Sequence, residues 1–221
     1  MRTKDDIWLS TDTPPRRDGQ PGLFLDRDGV LVREVNYLKN KEDVALEPGA
    51  ATLIRWAARR GFGLAAVTNQ SGIARGRISW AEFEAVEAEI ARLLEAEGAA
   101  LDLVIACPFH PDFTPGYGPA HEHWRKPGPG LIEEAARRIG LDRAESWLVG
   151  DKASDIEAAR RAGLKGAVHV LTGYGRAERE AALALAAPDF AVAAADDLDA
   201  AREIFEEVFA TAAPPAAAED R

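Results

Sequence analysis

Between residues 22 and 209, short apolar runs with strand character alternate about six times with amphipathic stretches of helical spacing, and few folds accommodate that order. The predicted strands are 23–25, 63–67, 103–106, 146–149, 167–171 and 190–193, and the predicted helices are 50–60, 80–97, 130–139, 154–162, 176–186 and 198–209. In the second helix Phe83, Val86, Ile90, Leu93 and Leu94 recur on one face, behind a capping box of Ser79 and Glu82. Strand and helix in regular alternation build an α/β domain, an open, mainly parallel sheet with helices on both faces. No internal repeat or linker divides residues 22–209, which therefore read as one domain. Residues 1–21 are polar, carry Pro14-Pro15 and Pro21-Gly22, and are expected to form an irregular N-terminal arm; residues 210–221 read as a frayed tail.

The composition supports a core and narrows the partners. Apolar residues make up 47% of the chain, while 37 acidic against 27 basic residues leave a net charge of −10. Such a surface repels a phosphate backbone, and the arginine pairs are scattered, so no nucleic-acid partner is expected. Cys107 is the only cysteine, which excludes an intramolecular disulfide and suits a reducing compartment. The polar start has no apolar leader segment and no run reaches 18 apolar residues. A soluble, cytoplasmic, monomeric protein with no membrane partner is the expectation.

Open α/β sheets bind ligands beyond the carboxyl ends of their strands, so the residues that end each strand are the candidates for chemistry. Here they are Asp26, Thr68-Asn69, Cys107 and Gly150-Asp151, with Arg125-Lys126 on the loop after the third strand. An Asp-x-Asp pair alone usually marks a turn. Asp197 and Asp199 share the spacing but open a helix, where acids serve as caps; Asp26 and Asp28 instead leave a strand, with Gly29 allowing a sharp bend. Asp151 and Asp155 bring a further acidic pair to the same edge, and Asp155 is also placed to support a helix start. Carboxylates about 4 Å apart repel by several kcal/mol at an effective dielectric near 20, so the cluster implies a cation. Oxygen-only ligands suit Mg2+. A carboxylate can then attack phosphorus, a second can move the leaving-group proton, and Thr68, Asn69 and Lys126 are the right types to hold phosphoryl oxygens.

LFLDRDGVL, VTNQSGIARG, RKPGPG and GDKASDIEAA, in this order, resemble the four motifs of the haloacid dehalogenase-like (HAD) phosphatases. Within that family they resemble the branch of heptose-bisphosphate phosphatases and histidinol-phosphatases. The resemblance spans about residues 23–199 and implies a HAD-like Rossmannoid fold. It implies Asp26 as nucleophile, Asp28 as general acid/base, and Thr68 and Lys126 as stabilisers of the phosphoryl group. Mg2+ would be held by Asp26, the Asp28 backbone carbonyl and Asp151, with Asp155 behind them. Glu34, Tyr37, Asn69, Gln70, Ser71, Arg125 and Lys152 would face the substrate, a small phosphorylated sugar. The short Asp26–Thr68 and Thr68–Lys126 intervals leave no room for a large cap domain.

The chain departs from the family at the loop before Arg125. Many relatives bind a structural zinc there through Cys-x-His and Cys-x-Cys, but Phe109, Glu122 and Trp124 stand at three of the four ligand positions. Structural zinc is therefore not expected. The alternative is a rearranged site of Cys107, His110, His121 and His123. The resemblance implies removal of the 7-phosphate of a heptose bisphosphate through an aspartyl-phosphate. Its rivals are histidinol phosphate or another sugar phosphate as substrate and, from another class, a phospho-Asp signalling module, in which Asp28 would have no task.

Overall fold

A computed structural model describes residues 1–210; the predicted tail lies, from residue 211 onward, outside the described residues. Seven strands form one sheet: β1 (Trp8–Leu9), β2 (Pro21–Leu25), β3 (Gly63–Asn69), β4 (Leu103–Cys107), β5 (Asp142–Gly150), β6 (Gly166–Val170) and β7 (Ala191–Ala195). The helices are α1 (Ala50–Arg59), α2 (Ser71–Ala74), α3 (Trp80–Ala96), α4 (Pro119–Trp124), α5 (Gly130–Ile139), α6 (Ala153–Arg161), α7 (Gly175–Leu183) and α8 (Leu198–Ala210). All six predicted strands and all six predicted helices are present.

The spatial order is β1-β4-β3-β2-β5-β6-β7, parallel throughout except for β1. From β2 the chain winds outward through β3 and β4, then returns to lay β5, β6 and β7 on the other side. The reversal falls between β2 and β5, and a crevice opens there at the carboxyl ends of the strands. Both faces of the sheet are covered, as side-chain alternation along each strand shows. Leu23, Leu25, Leu64, Ala66, Trp147 and Val149 enter the layer beneath α1, α3 and α8; Phe24, Ala65, Val67 and Leu148 enter the layer beneath α5 and α6. Among the described residues no separate cap domain interrupts this order, and no helix is long and apolar enough to cross a membrane.

The N-terminal arm differs from expectation. Instead of lying outside the core, it supplies β1, which pairs antiparallel with β4 (Trp8 with Ala106, Leu9 with Ile105), and Ile7 and Leu9 are fully buried. The strand is only two residues long, too short for a period to register, and it covers an otherwise open sheet edge. Arg17 fastens the rest of the arm, donating to both carboxylate oxygens of Asp102 at 2.9 and 3.2 Å, while Asp102 also accepts from the Leu64 backbone at 2.9 Å. Asp102→Ala strands a half-buried guanidinium and a backbone donor. A loss of about 2–3 kcal/mol is expected in urea denaturation.

Candidate active site

The carboxyl ends of β2, β3 and β5 bring the candidate residues together. Asp26 follows β2 directly, its N–H accepted by the Val149 carbonyl of β5, so the two strands at the chain reversal hold it in register. Lys126 arrives from the loop after α4 and is buried, at 4% exposure. Its ammonium donates to Asp26 Oδ1 at 2.7 Å and to the Val67 carbonyl at 2.8 Å, and lies 2.7 Å from Asp155 Oδ1. The backbone of Lys126 is clamped in turn by Asn69, whose side-chain amide exchanges two 3.0 Å bonds with it. Asn69 thus fixes the loop that carries the lysine.

Asp155 performs both tasks open to it from sequence. Its Oδ2 accepts the Lys152 N–H at 3.0 Å at the start of α6, and its Oδ1 faces Lys126. Asp26, Asp151 and Asp155 are all buried, and one carboxylate oxygen from each lies within 4.8 Å of the others. Among the described residues this is the one group of three or more such ligands close enough to share a metal ion. Asp151 Oδ2 accepts the Tyr174 N–H at 2.8 Å, but its Oδ1 is buried with no hydrogen-bond partner. A buried carboxylate oxygen left unpaired is costly. Hard oxygen donors around an unpaired anionic oxygen fit a divalent cation such as Mg2+.

Two glycines make this packing feasible. Gly29 and Gly173 both have positive φ, +85° and +52°, and a Cβ at either would come within 2.6 and 2.3 Å of Asp151 Oδ2. The Gly29 bend expected from the sequence therefore makes room for the Asp151 carboxylate.

The electrostatics follow from the crowding. Burial, then Asp155, pushes Asp26 up to about 6 despite the opposing Lys126. Asp151, buried and repelled by Asp26 and Asp155, is pushed up to about 8. Lys126 is raised as well: burial disfavours its charge, but Asp155 and Asp26 outweigh burial and hold it protonated. Lys152, 4.0 Å from Asp151 Oδ1 and 3.8 Å from Glu34 Oε2, is likewise raised against burial by Asp151, Asp26 and Glu34. Glu34 is itself raised by burial and by Asp28.

A cleft of about 250 Å3 opens beside Asp28, and Glu34, Tyr37, Asn69, Gln70, Ser71 and Lys152, all singled out from sequence, line it. Tyr174 joins them on the rim, with the Lys152 ammonium 4.4 Å from its ring centroid. Arg125 stands apart, donating to the Phe109 carbonyl at 2.9 Å. Gln70 is turned inward, its amide reaching Asp28 Oδ2 at 2.8 Å and Thr68 Oγ1 at 2.9 Å. Arg27 and Glu87 were missed from sequence: the buried guanidinium joins Asp28 to Glu87 on α3.

The rearranged quartet is not assembled. His110 sits with Nε2 2.5 Å from Arg75 and Nδ1 accepting the Asp112 N–H, while His121 lies between Phe109 and Tyr117. His123 turns toward Glu133 at 3.7 Å, and Cys107 is fully buried, its thiol pushed up to about 12 chiefly by burial. Aromatic contacts and hydrogen bonds occupy these rings where zinc would need them to converge.

Residues 123–201 match a family model described as HAD-hydrolase-like. The chain is 43% identical over 140 residues to D-glycero-beta-D-manno-heptose-1,7-bisphosphate 7-phosphatase of Mesorhizobium japonicum, covering 62% of this chain and 63% of that protein. It is 40% identical over 192 residues to D-glycero-D-manno-heptose-1,7-bisphosphate 7-phosphatase of Thermosynechococcus vestitus, covering 83% of this chain and 94% of that protein. Among solved structures, D,D-heptose 1,7-bisphosphate phosphatase from B. bronchiseptica, complexed with magnesium and phosphate, superposes with a TM-score of 0.71. Identity there is 31%, and the match covers 85% of this chain and 99% of that chain.

Proposed function

This chain belongs to the haloacid dehalogenase-like phosphatases, and on that premise we propose that it hydrolyses the 7-phosphate of a D-glycero-D-manno-heptose 1,7-bisphosphate through a phosphorylated Asp26. The observation that carries the reading is the convergence of Asp26, Thr68, Lys126 and Asp151 at the chain reversal, with Asp28 facing a polar cleft.

The Asp26 carboxylate attacks phosphorus as the bond from phosphorus to the sugar oxygen breaks, and Asp28 gives that oxygen its proton. Asp28 then takes a proton from water, whose oxygen bonds to phosphorus as the Asp26–phosphorus bond breaks. The Thr68 hydroxyl and the Lys126 ammonium hold the equatorial oxygens, Lys126 by redirecting one of the three N–H groups that it holds toward Asp26, Asp155 and the Val67 carbonyl. Asp26, Asp151 and the Asp28 backbone carbonyl would hold Mg2+, which supplies charge neutralisation for a dianionic phosphate.

The polar cleft supports a sugar substrate. Glu34 and Asn36 offer acceptors and donors to hydroxyls, and Lys152 offers a cation to a second phosphate. Arg125, whose Nη1 donates to the Phe109 carbonyl, is not among the residues that line the cleft. We assign no zinc to the loop of residues 107–123, where the His121 ring packs against Phe109 and Tyr117. The proposed setting is cytoplasmic, in keeping with a single cysteine, and the proposed active species is a monomer. The alternative among substrates is histidinol phosphate or a hexose phosphate. Steady-state kinetics on both anomers of heptose 1,7-bisphosphate, histidinol phosphate and hexose phosphates decides between them. A preference of at least about a hundredfold in kcat/KM for a heptose bisphosphate is expected, some 2.7 kcal/mol of transition-state binding. Equal or better turnover of histidinol phosphate would reassign the substrate.

A further inference from the structure

Arg27 is among the largest fully buried side chains of the fold, at 1% exposure, and it lies between two carboxylates from distant parts of the chain. Its Nη1 donates to Glu87 Oε1 at 2.8 Å, and its Nε and Nη2 grip Asp28, with Nη2 at 2.7 and 2.9 Å from the two oxygens. The Phe83 ring, one turn before Glu87 on the same face of α3, lies 5.8 Å from the guanidinium carbon. On the other side of Asp28, Gln70 donates to Oδ2 and also to Thr68.

Burying an ion pair is a poor way to gain stability, because desolvation cancels most of the attraction and apolar replacements of equal volume are often as stable. What such a pair does well is hold a geometry. The guanidinium fork matches a carboxylate at two points, and a capped 17-residue helix is a rigid mount for its anchor. Asp28 alone, on a tight bend after β2 and partly open to the cleft, has no other cationic restraint among its hydrogen bonds.

We propose that Glu87 and Arg27 are positioning residues for the leaving-group proton transfer: α3 holds Arg27 through Glu87, and Arg27 with Gln70 aims the Asp28 carboxyl into the cleft. This rests on the reading of Asp28 as the acid that protonates the departing oxygen. A misaimed Asp28 harms only esters that need the proton. An alkyl oxygen leaves poorly as an anion, whereas p-nitrophenolate leaves without help. The ratio of kcat/KM for the two esters isolates the effect, since kcat/KM covers the steps up to departure of the leaving group and excludes hydrolysis of phospho-Asp26.

The variants are the apolar pair Arg27→Met/Glu87→Leu, the single change Arg27→Lys, which keeps the charge but loses the fork, and Glu87→Gln, which keeps an acceptor for Nη1. For the pair and for Arg27→Lys, kcat/KM on the best alkyl substrate of the panel is expected to fall about 100-fold, and on p-nitrophenyl phosphate less than about fivefold. Glu87→Gln is expected to keep both within about threefold. Arg27→Lys carries the test if the apolar pair does not fold. Equal losses on the two esters, or no loss on the alkyl ester, overturn the assignment. A wild-type protein inactive on both esters overturns the phosphatase reading itself, an outcome distinct from the other two.

Discussion

Asp26→Asn is expected to lower turnover by about 10^4-fold or more on every phosphomonoester while leaving the fold intact. The amide is too weak a nucleophile to attack phosphorus, yet its carbonyl oxygen can still accept the 2.7 Å bond from Lys126. The substitution also removes a charge that burial and Asp155 disfavour, so thermal unfolding should occur at an equal or higher temperature than in wild type. The loss should be the same for aryl and alkyl esters, because both need the nucleophile. This separates Asp26 from Arg27 and Glu87, whose replacement is expected to discriminate between the two. A phospho-acceptor module would behave differently: it would accept phosphate at Asp26 and retain it, and wild-type turnover would be absent.

Stability of the metal-free protein should fall as pH rises, and Mg2+ should restore it most strongly at high pH. Asp151 is pushed up to about 8 and Asp26 to about 6, both from an ordinary value of 3.8. Between pH 4 and 8 the folded state therefore binds protons that the unfolded state has released. The stability contributed by these protons is fully present below about pH 4 and is lost as pH rises through 6 and then 8. A divalent cation competes with the same protons, so its apparent affinity should strengthen over that range. At 100 times the dissociation constant the metal adds about 2.7 kcal/mol, which for a domain of this size is about 5–10 °C in Tm. Thermal unfolding with and without Mg2+ should show that gain near pH 8.5 and little of it near pH 5.5. Asp151→Asn should remove the metal response and flatten the pH slope in metal-free buffer. A Tm gain independent of pH, or one retained in Asp151→Asn, would place the metal elsewhere.

Much of the site was legible because chemistry in a parallel sheet gathers at strand ends. Asp26, Thr68 and Asp151 stand at or beside the ends of predicted strands, and placing those strands in one parallel sheet was enough to make them converge. Lys126 was legible only through its motif, since it lies on a long loop whose path no periodicity reports. Asn69 and Gln70 line the cleft, and their side chains also hold Lys126 and Asp28; an amide's partners depend on a fold that the motif does not contain. The short elements β1, α2 and α4 span too few residues for a hydrophobic repeat. Glu87 did leave a signal that went unread. It sits one turn from Phe83 inside the apolar stripe of α3, and a carboxylate on a buried face requires a buried cation. Arg27, flanked by two aspartates, was the nearest candidate.

The claim on which the rest depends is that phosphate passes through Asp26 and does not go directly to water. The stereochemical course at phosphorus tests this without requiring the intermediate to accumulate. A monoester of isotopically chiral thiophosphate is hydrolysed in water labelled with a third oxygen isotope, and the configuration of the inorganic thiophosphate released is determined. Two successive in-line displacements, first by Asp26 and then by water, predict net retention. Net inversion would mean a single attack by water and would contradict the account.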